Sequence, residues 1–330
     1  MKNQKRINKK QLFDNLAVFS HKKVCAMVKA DAYGHGARQV VELLNDKVFC
    51  FGVAKVEEGE IVRGVCDTPV VVVGKTFDFA LARKNNLIVT IESEEEASDA
   101  VCFDVPVFLK IDCGMNRLGV ETNREIKNIV KRFEGKKHLL VGASVHFSNT
   151  DNKQQTEDQY TRFLTFKKSL PKGLPVSFGG SGVVQYNHFD FDILRVGIGL
   201  YGYQNPHTKP VMRIVSFVEK VFVARKGEFL GYGTKFRVEK TGRFAIVPVG
   251  YADGLLRNLT GLSVWINDKP YAIVGNVCMD VCFVEVDDGV YVGDEVCVMQ
   301  DAKLFANQLD TIEYEILTNF SKFRGEVVVE

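Results

Sequence analysis

Eight short apolar runs, at 24–28, 48–53, 70–73, 87–91, 106–111, 139–145, 175–178 and 192–196, punctuate the first two hundred residues of this chain. Between them lie segments of helical period: Val56–Arg63, Phe77–Lys84, Glu94–Ala100, Arg124–Phe133 and Gln154–Lys168, each with charged residues on one face. Strand followed by helix, repeated eight times, predicts a parallel (β/α)8 barrel. The competing arrangement, an open doubly wound sheet, needs a Gly-x-Gly-x-x-Gly turn for phosphate, and the sequence offers no good candidate. After about residue 205 the texture changes to β-branched runs at 211–225, 243–249, 262–266, 270–274, 281–286 and 295–299, separated by Gly, Asp and Asn turns. A short helical piece, Thr311–Phe320, and a last strand, Glu326–Val329, close the chain. The α/β barrel is therefore expected over 1–205 and an all-β domain over 206–330, joined at Gln204-Asn205-Pro206-His207.

Composition removes several function classes. A formal charge of +2 gives no field that would gather nucleic acid or an anionic membrane, and no run approaches the roughly 18 apolar residues of a membrane span. The basic cluster Lys2, Lys5, Arg6, Lys9 and Lys10 reads as a solvated terminus, because Asp14, Asn15 and His21 interrupt the residues after it and no signal-peptide core forms. Cys25, Cys50, Cys66, Cys102, Cys113, Cys278, Cys282 and Cys297 are scattered singly, without a Cys-x-x-Cys pair or a histidine at metal-ligand spacing. They predict buried thiols in a reducing, cytoplasmic compartment and no metal site.

The polar residues of the barrel half fall at the ends of its predicted strands. Lys29 ends the first, Lys110 and Asp112 the fifth, His146 the sixth and Arg195 the eighth, while Gly180-Ser181 follow the seventh. All lie on the C-terminal rim, where barrel enzymes assemble their sites. A desolvated lysine among other cations has a lowered pKa and, as a free amine, condenses with an aldehyde. Pyridoxal phosphate is the aldehyde that suits it. Its phosphate wants close-approaching backbone N–H groups, which the glycine-rich turns Gly179-Gly180-Ser181-Gly182 and Val196-Gly197-Ile198-Gly199 would supply. An arginine facing the pyridine nitrogen can only donate, so Arg195 in that place would keep the nitrogen unprotonated and the ring a weak electron sink. Such a cofactor disfavours transamination and decarboxylation yet still permits removal and return of a proton. The structural alternative is an arginine paired with a carboxylate at the rim.

Seven motifs, in order, carry a resemblance: Val28-Lys29-Ala-Asp-Ala-Tyr33-Gly-His-Gly36, Lys110-Ile-Asp112-Cys-Gly-Met115-Asn-Arg117-Leu-Gly119, His146-Phe, Arg195-Val-Gly197-Ile198-Gly-Leu-Tyr201-Gly202, Gly231-Tyr232-Gly233, Val249-Gly250-Tyr251-Ala-Asp253-Gly254 and Val274-Gly-Asn-Val-Cys278-Met279-Asp280. Through them the chain resembles bacterial alanine racemases, fold-type III pyridoxal-phosphate enzymes, over essentially its whole length. The resemblance implies that Lys29 holds the cofactor and is one catalytic base, and that Tyr232 is the base on the opposite face of the α-carbon. It implies phosphate contacts from Tyr33, Ser181, Gly197 and Ile198, and places Arg117 at the cofactor's phenolic oxygen and the substrate carboxylate. His146 would help hold Arg195 and Tyr232. Tyr232, Tyr251, Met279 and Asp280 would reach the site from a second subunit, giving a homodimer with shared sites. Lys110 matches a lysine that is carbamylated in many relatives.

The chain also departs from the family pattern, with Gly180-Ser181 for Asn-Ser and Cys113 for Thr. Lys322 stands, by gapless counting, where relatives often place a tyrosine over the phosphate, so an ammonium there would pair with the phosphate. Relatives begin with an additional strand that docks on the C-terminal domain, which this short N-terminus leaves without a clear counterpart. The implied reaction is interconversion of L- and D-alanine, supplying D-alanine for peptidoglycan. The alternatives are a racemase for serine or a basic amino acid, a fold-type III decarboxylase, and a non-catalytic pyridoxal-phosphate-binding protein.

Overall fold

Strands Lys23–Met27, Cys50–Val53, Val70–Val72, Ile88–Ile91, Val107–Ile111, Leu140–His146, Val176–Gly179 and Ile193–Val196 close into a parallel barrel in chain order. The computed structural model describes residues 1–330. These strands belong to one of two units into which the chain divides, comprising Phe13–Ala32 and Val40–Lys209. Helices cover the outside, so the strands are buried on both faces and carry continuous Val/Ile-rich runs such as Val70–Val72. Inside the barrel, glycines make room for large neighbours: a Cβ on Gly52 would lie 2.4 Å from Met27 Sδ, and one on Gly142 would lie 2.3 Å from Phe108 Cε1.

The helices begin as the sequence pattern requires. Ser93 Oγ accepts from Glu96 N at 3.1 Å to cap Glu94–Phe103, and Thr122 Oγ1 accepts from Glu125 N at 3.2 Å to cap Asn123–Arg132. Helix Lys153–Lys167 presents Tyr160 and Phe163 to strand Val176–Gly179, where Phe178 packs edge-on against both, with centroids 6.1 and 5.1 Å away. Phe147 and Phe191 complete the cluster at 5.1 and 4.8 Å.

The second unit comprises Met1–Leu12, Tyr33–Gln39 and Pro210–Glu330. Its nine-stranded sheet runs Lys220–Ala224, Gly242–Val247, Cys282–Val286, Lys269–Val274, Ser263–Ile266, Glu295–Met299, Met212–Phe217, Gln4–Ile7, Glu326–Val329. A two-stranded hairpin, Phe229–Leu230 with Phe236–Arg237, packs Leu230 into a cluster with Ala224, Val238, Phe244 and Val274. Helices Ala302–Leu309 and Glu313–Asn319 follow the sheet's Glu295–Met299 strand.

Strand Gln4–Ile7 corrects the reading of the basic N-terminus. It pairs antiparallel with Met212–Val215 and parallel with Glu326–Val329, and Lys5 is only 2% exposed. The docking strand that the sequence left without a counterpart is this one. It escapes notice because Gln-Lys-Arg-Ile looks polar; alternation nonetheless buries Lys5 and Ile7, while the Arg6 guanidinium grips Glu295 through two bonds of 3.0 and 2.6 Å. Lys5 buries its stem and leaves its ammonium 6.0 Å from the Phe323 ring centroid.

Phe178 is fully buried. Phe178→Ala should therefore cost about 3–5 kcal/mol of stability, read as a lowered urea midpoint. An unchanged midpoint would show that this cluster does not hold the barrel wall.

Candidate active site

Lys29 stands two residues beyond the first barrel strand, just before the backbone turns left-handed. Ala30, Asp31, Ala32 and Tyr33 have φ of 51, 55, 53 and 53°, and Gly34 continues at 79°. Side-chain-bearing residues in this region cost about 1–2 kcal/mol each, so the turn must be held by its surroundings. Among the bonds that hold it, Ala32 N donates to Val28 O at 2.8 Å, and Ala30 N donates to Glu58 Oε1 at 2.7 Å. The other oxygen of Glu58 accepts from Ala54 N at 2.6 Å and Lys55 N at 3.2 Å. Burial lowers the Lys29 pKa, Arg117 and Arg195 lower it further, and Glu58 opposes them. The net effect is a lowered pKa.

Arg195 rises from the last strand into the barrel's interior and is 6% exposed. Nη1 donates to Ser177 O and to Ser177 Oγ, both at 2.9 Å, and Nη2 donates to Val145 O at 2.7 Å. No carboxylate pairs with it, so the structural alternative of a rim ion pair does not hold. Those three bonds use three of its five N–H groups. Burial lowers even this guanidinium to a pKa of about 10. A Cβ on Gly179 would lie 2.4 Å from Arg195 Nη2 and 2.3 Å from His146 Nδ1, so glycine is what lets the two side chains share this floor.

The neighbouring groups extend the same field. Burial, then Arg195, Lys110, Arg117 and Lys29, push the His146 pKa well down, which leaves a neutral imidazole. Burial, Arg195 and Arg117 lower Lys110 to about 7 against the pull of Asp112 and Cys113. Burial raises Asp112, but the N–H groups of Arg117, Gly114, Asn116 and Met115 outweigh it and hold the carboxylate low. Its bonds to Gly114, Met115 and Arg117 N run 2.7, 2.8 and 2.9 Å. Asp112 thus shapes the loop that carries Arg117 rather than neutralising a side chain.

The Ser181 turn and the turn after the last barrel strand carry donors of the kind that could meet an anion. Ser181 is buried, its Oγ accepts from Gly199 N at 3.1 Å, and Gly180 before it sits at φ 118°. The amides of Gly197 and Ile198 have no acceptor in the chain. A Cβ on Gly199 would come within 2.9 Å of Ser181 Oγ.

The remaining predicted residues belong to the other unit. Tyr33 is buried beside Tyr314, with ring centroids 5.9 Å apart. Tyr232, between Gly231 and Gly233 at φ 72 and 76°, is 73% exposed, and Asn276 Nδ2 donates to its carbonyl at 3.1 Å. Tyr251 N and Ala252 N donate to Cys278 O and Met279 O, each at 3.0 Å, so Tyr232, Tyr251, Met279 and Asp280 are built on one loop cluster. The sequence singled out Asp253 and Asp280 but missed their clamp: Arg324 grips Asp253 at 2.7 and 2.9 Å and Asp280 at 2.8 Å. Lys322, offered as a phosphate partner, ends a short 3-10 turn as an exposed side chain. Glu58, Ser177 and Arg324 carried no motif signal; only the position of Glu58 near the start of a helix after a strand hinted at a cap.

Comparison with known proteins decides the family. Residues 7–205 match the alanine racemase N-terminal domain and residues 211–328 the alanine racemase C-terminal domain. The chain belongs to the alanine racemase family. This is a family of amino-acid racemases, fold-type III pyridoxal-phosphate enzymes. The chain is 32% identical to alanine racemase 1 of Bacillus subtilis, over 91% of itself and 85% of that protein. It superposes on alanine racemase from E. faecalis with a TM-score of 0.92 at 28% identity, covering 100% of this chain and 98% of that one. A histidine racemase from Leuconostoc mesenteroides also superposes at 0.92, covering 100% and 98%, but at 22% identity it speaks for the fold alone.

The field on Lys110 has a measurable sign. Its folded-state pKa of about 7 lies below the unfolded 10.5, so the unfolded chain binds more protons between those values and stability must rise with pH across that window. The slope is up to about 1.4 kcal/mol per pH unit. Lys110→Met should flatten it in urea titrations run from neutral to alkaline pH; an unaltered slope would show that Lys110 stays charged.

Proposed function

We propose that this protein is an alanine racemase that holds pyridoxal phosphate through Lys29 and exchanges the α-proton between Lys29 and Tyr232. The observation that carries the reading is a buried Arg195 with no carboxylate partner, on the same rim as a lysine whose pKa is lowered. The donor set fits the cofactor. Lys29 supplies the amine for the aldehyde; Ser181 and the unsatisfied amides of Gly197 and Ile198 suit a phosphate; the remaining N–H groups of Arg195 suit an unprotonated ring nitrogen. When bound to an amino acid, pyridoxal phosphate acidifies the α-C–H by drawing its electrons into the ring.

The chain's own residues do the rest. Arg117 would bind the substrate carboxylate as a cation already surrounded by like charge. Lys29, whose pKa is lowered by burial, Arg117 and Arg195, would take a proton on one face at Nζ. Tyr232 would return a proton from its hydroxyl on the other. An inversion needs both, because a single base returns the proton to the face it left. Tyr232 is well exposed on this chain, as a residue lent to another copy would be; we therefore propose a homodimer in which each site takes Lys29 from one subunit and Tyr232, Tyr251, Met279 and Asp280 from its partner. Small side chains suit the pocket proposed around Tyr251 and Met279, and alanine is the substrate we assign, with D-alanine for peptidoglycan as the product. Eight free cysteines accord with a reducing, cytoplasmic setting.

Lys110 is proposed to carry a carbamate. Its lowered pKa leaves an amine able to add carbon dioxide near neutrality, and the resulting anion would sit between Arg117 and Arg195. Intact mass under carbon dioxide should show the adduct, lost in Lys110→Met; a plain lysine in density and mass refutes it.

Three outcomes test the reaction. Purified protein should invert alanine faster than serine, lysine or histidine, and a preference for any of those would change the substrate. Tyr232→Phe should lose turnover by about a hundredfold or more while keeping a borohydride-reducible chromophore on Lys29. Mixing Lys29→Ala with Tyr232→Phe chains should recover about a quarter of wild-type activity, since half the dimers would hold one intact site of two; no recovery would mean that the sites are not shared.

A further inference from the structure

We infer that Glu58 is a positioning residue for the proposed reaction: its carboxylate ties the Lys29 turn to the end of the neighbouring barrel strand and sets a negative charge beside that turn. The inference rests on the reading of Lys29 as the cofactor-bearing base. Glu58 bridges two strand ends with one side chain. Oε1 accepts from Ala30 N at 2.7 Å, immediately after Lys29, and Oε2 accepts from Ala54 N at 2.6 Å and Lys55 N at 3.2 Å, immediately after strand Cys50–Val53.

The need for such a tie comes from the backbone. Ala30, Asp31 and Ala32 all occupy the left-handed region, so the turn would relax toward right-handed conformations if it were released, swinging the Lys29 Cα–Cβ bond away from the rim. Ala30 N–H is the first donor after the lysine, and a carboxylate is the strongest acceptor it could meet. A charged acceptor does a second job here. Among the groups that bear on Lys29 from other elements are Arg117 from the loop after strand Val107–Ile111 and Arg195 from strand Ile193–Val196, and Lys29 in turn acts on the neutral His146 of strand Leu140–His146. Both arginines push its proton off, and Glu58 pulls the other way. A racemase base must accept the proton and give it back, so an amine held too far down would take it poorly.

The test separates tie from charge. In the full chain stripped of cofactor, lysines are reductively methylated with 13C-formaldehyde and the Lys29 resonance, assigned by Lys29→Arg, is titrated with pH. Glu58→Gln should lower the Lys29 midpoint by at least about half a pH unit. In the cofactor-loaded enzyme it should lower kcat about tenfold or more with KM changed less than about twofold, because the base rather than the carboxylate contact is displaced. Adding Ala30→Gly to Glu58→Gln relieves the left-handed strain at an exposed position; it should recover part of kcat without restoring the midpoint, and it keeps the comparison readable if Gln alone weakens folding. A wild-type midpoint together with wild-type kcat in either Gln-bearing chain overturns the inference. A wild-type enzyme that racemises nothing defeats the proposed reaction instead, while the midpoint in the stripped chain still reads the role of Glu58.

Discussion

Positive charge concentrated in a low-dielectric rim is the constraint on which the barrel unit turns. Lys29, Lys110, Arg117 and Arg195 act on one another strongly enough that burial and mutual repulsion lower three of the four, and His146 is left neutral among them. A cluster of like charge is costly, and the usual remedy is to interleave carboxylates. This unit does not do so. Arg195 is satisfied by two carbonyls and a hydroxyl, partners that accept its hydrogen bonds without cancelling its charge. The rim keeps its field, and that field is what an anionic cofactor and an amino-acid carboxylate would meet.

The acids that do lie at the rim are turned toward backbone. Asp112 spends its oxygens on three amides of one loop and Glu58 on three amides at two strand ends. Through these bonds each shapes the loop that presents a cation, while its charge still offsets part of the field on Lys29 or Lys110. For Asp112 the division of labour has an electrostatic side, because the N–H groups that it accepts from hold its carboxylate below the usual range.

How much of this could be read from sequence depends on the range of the interaction. The eight barrel strands were legible because each is a local apolar run, and Lys29, Lys110, His146 and Arg195 because strand ends locate a rim. Strand Gln4–Ile7 was not, since its partners lie more than two hundred residues away and its composition is polar. Nor was the left-handed course of Ala30–Ala32, because neither alanine nor aspartate announces φ near 50°; what stabilises it is a contact with Glu58 some 28 residues on. The place of Arg195 on the last strand is legible too, but from sequence its competing role as an ion-pair partner stays open. Only the arrangement of Ser177 and Val145 around it closed that question.

In the proposed dimer the C-terminal unit poses the converse problem, since a residue that would act on another chain has to be rigid while exposed. Tyr232 stands between two glycines of positive φ, a conformation that offers little intrinsic stiffness. Its stiffness is borrowed. Asn276 grips its carbonyl, the segment that carries Asn276 continues to Cys278 and Met279, and these in turn accept from Tyr251 and Ala252. Arg324 then fastens Asp253 and Asp280 at the far end of the same cluster, with Asp253 itself buried and accepting from Gly250 N at 2.9 Å. Three loops are thereby cross-braced by bonds that leave the Tyr232 side chain uncovered. An exposed aromatic on a braced cluster would lose little conformational entropy if a partner covered it, and the proposed shared site would need that to assemble tightly rather than merely collide.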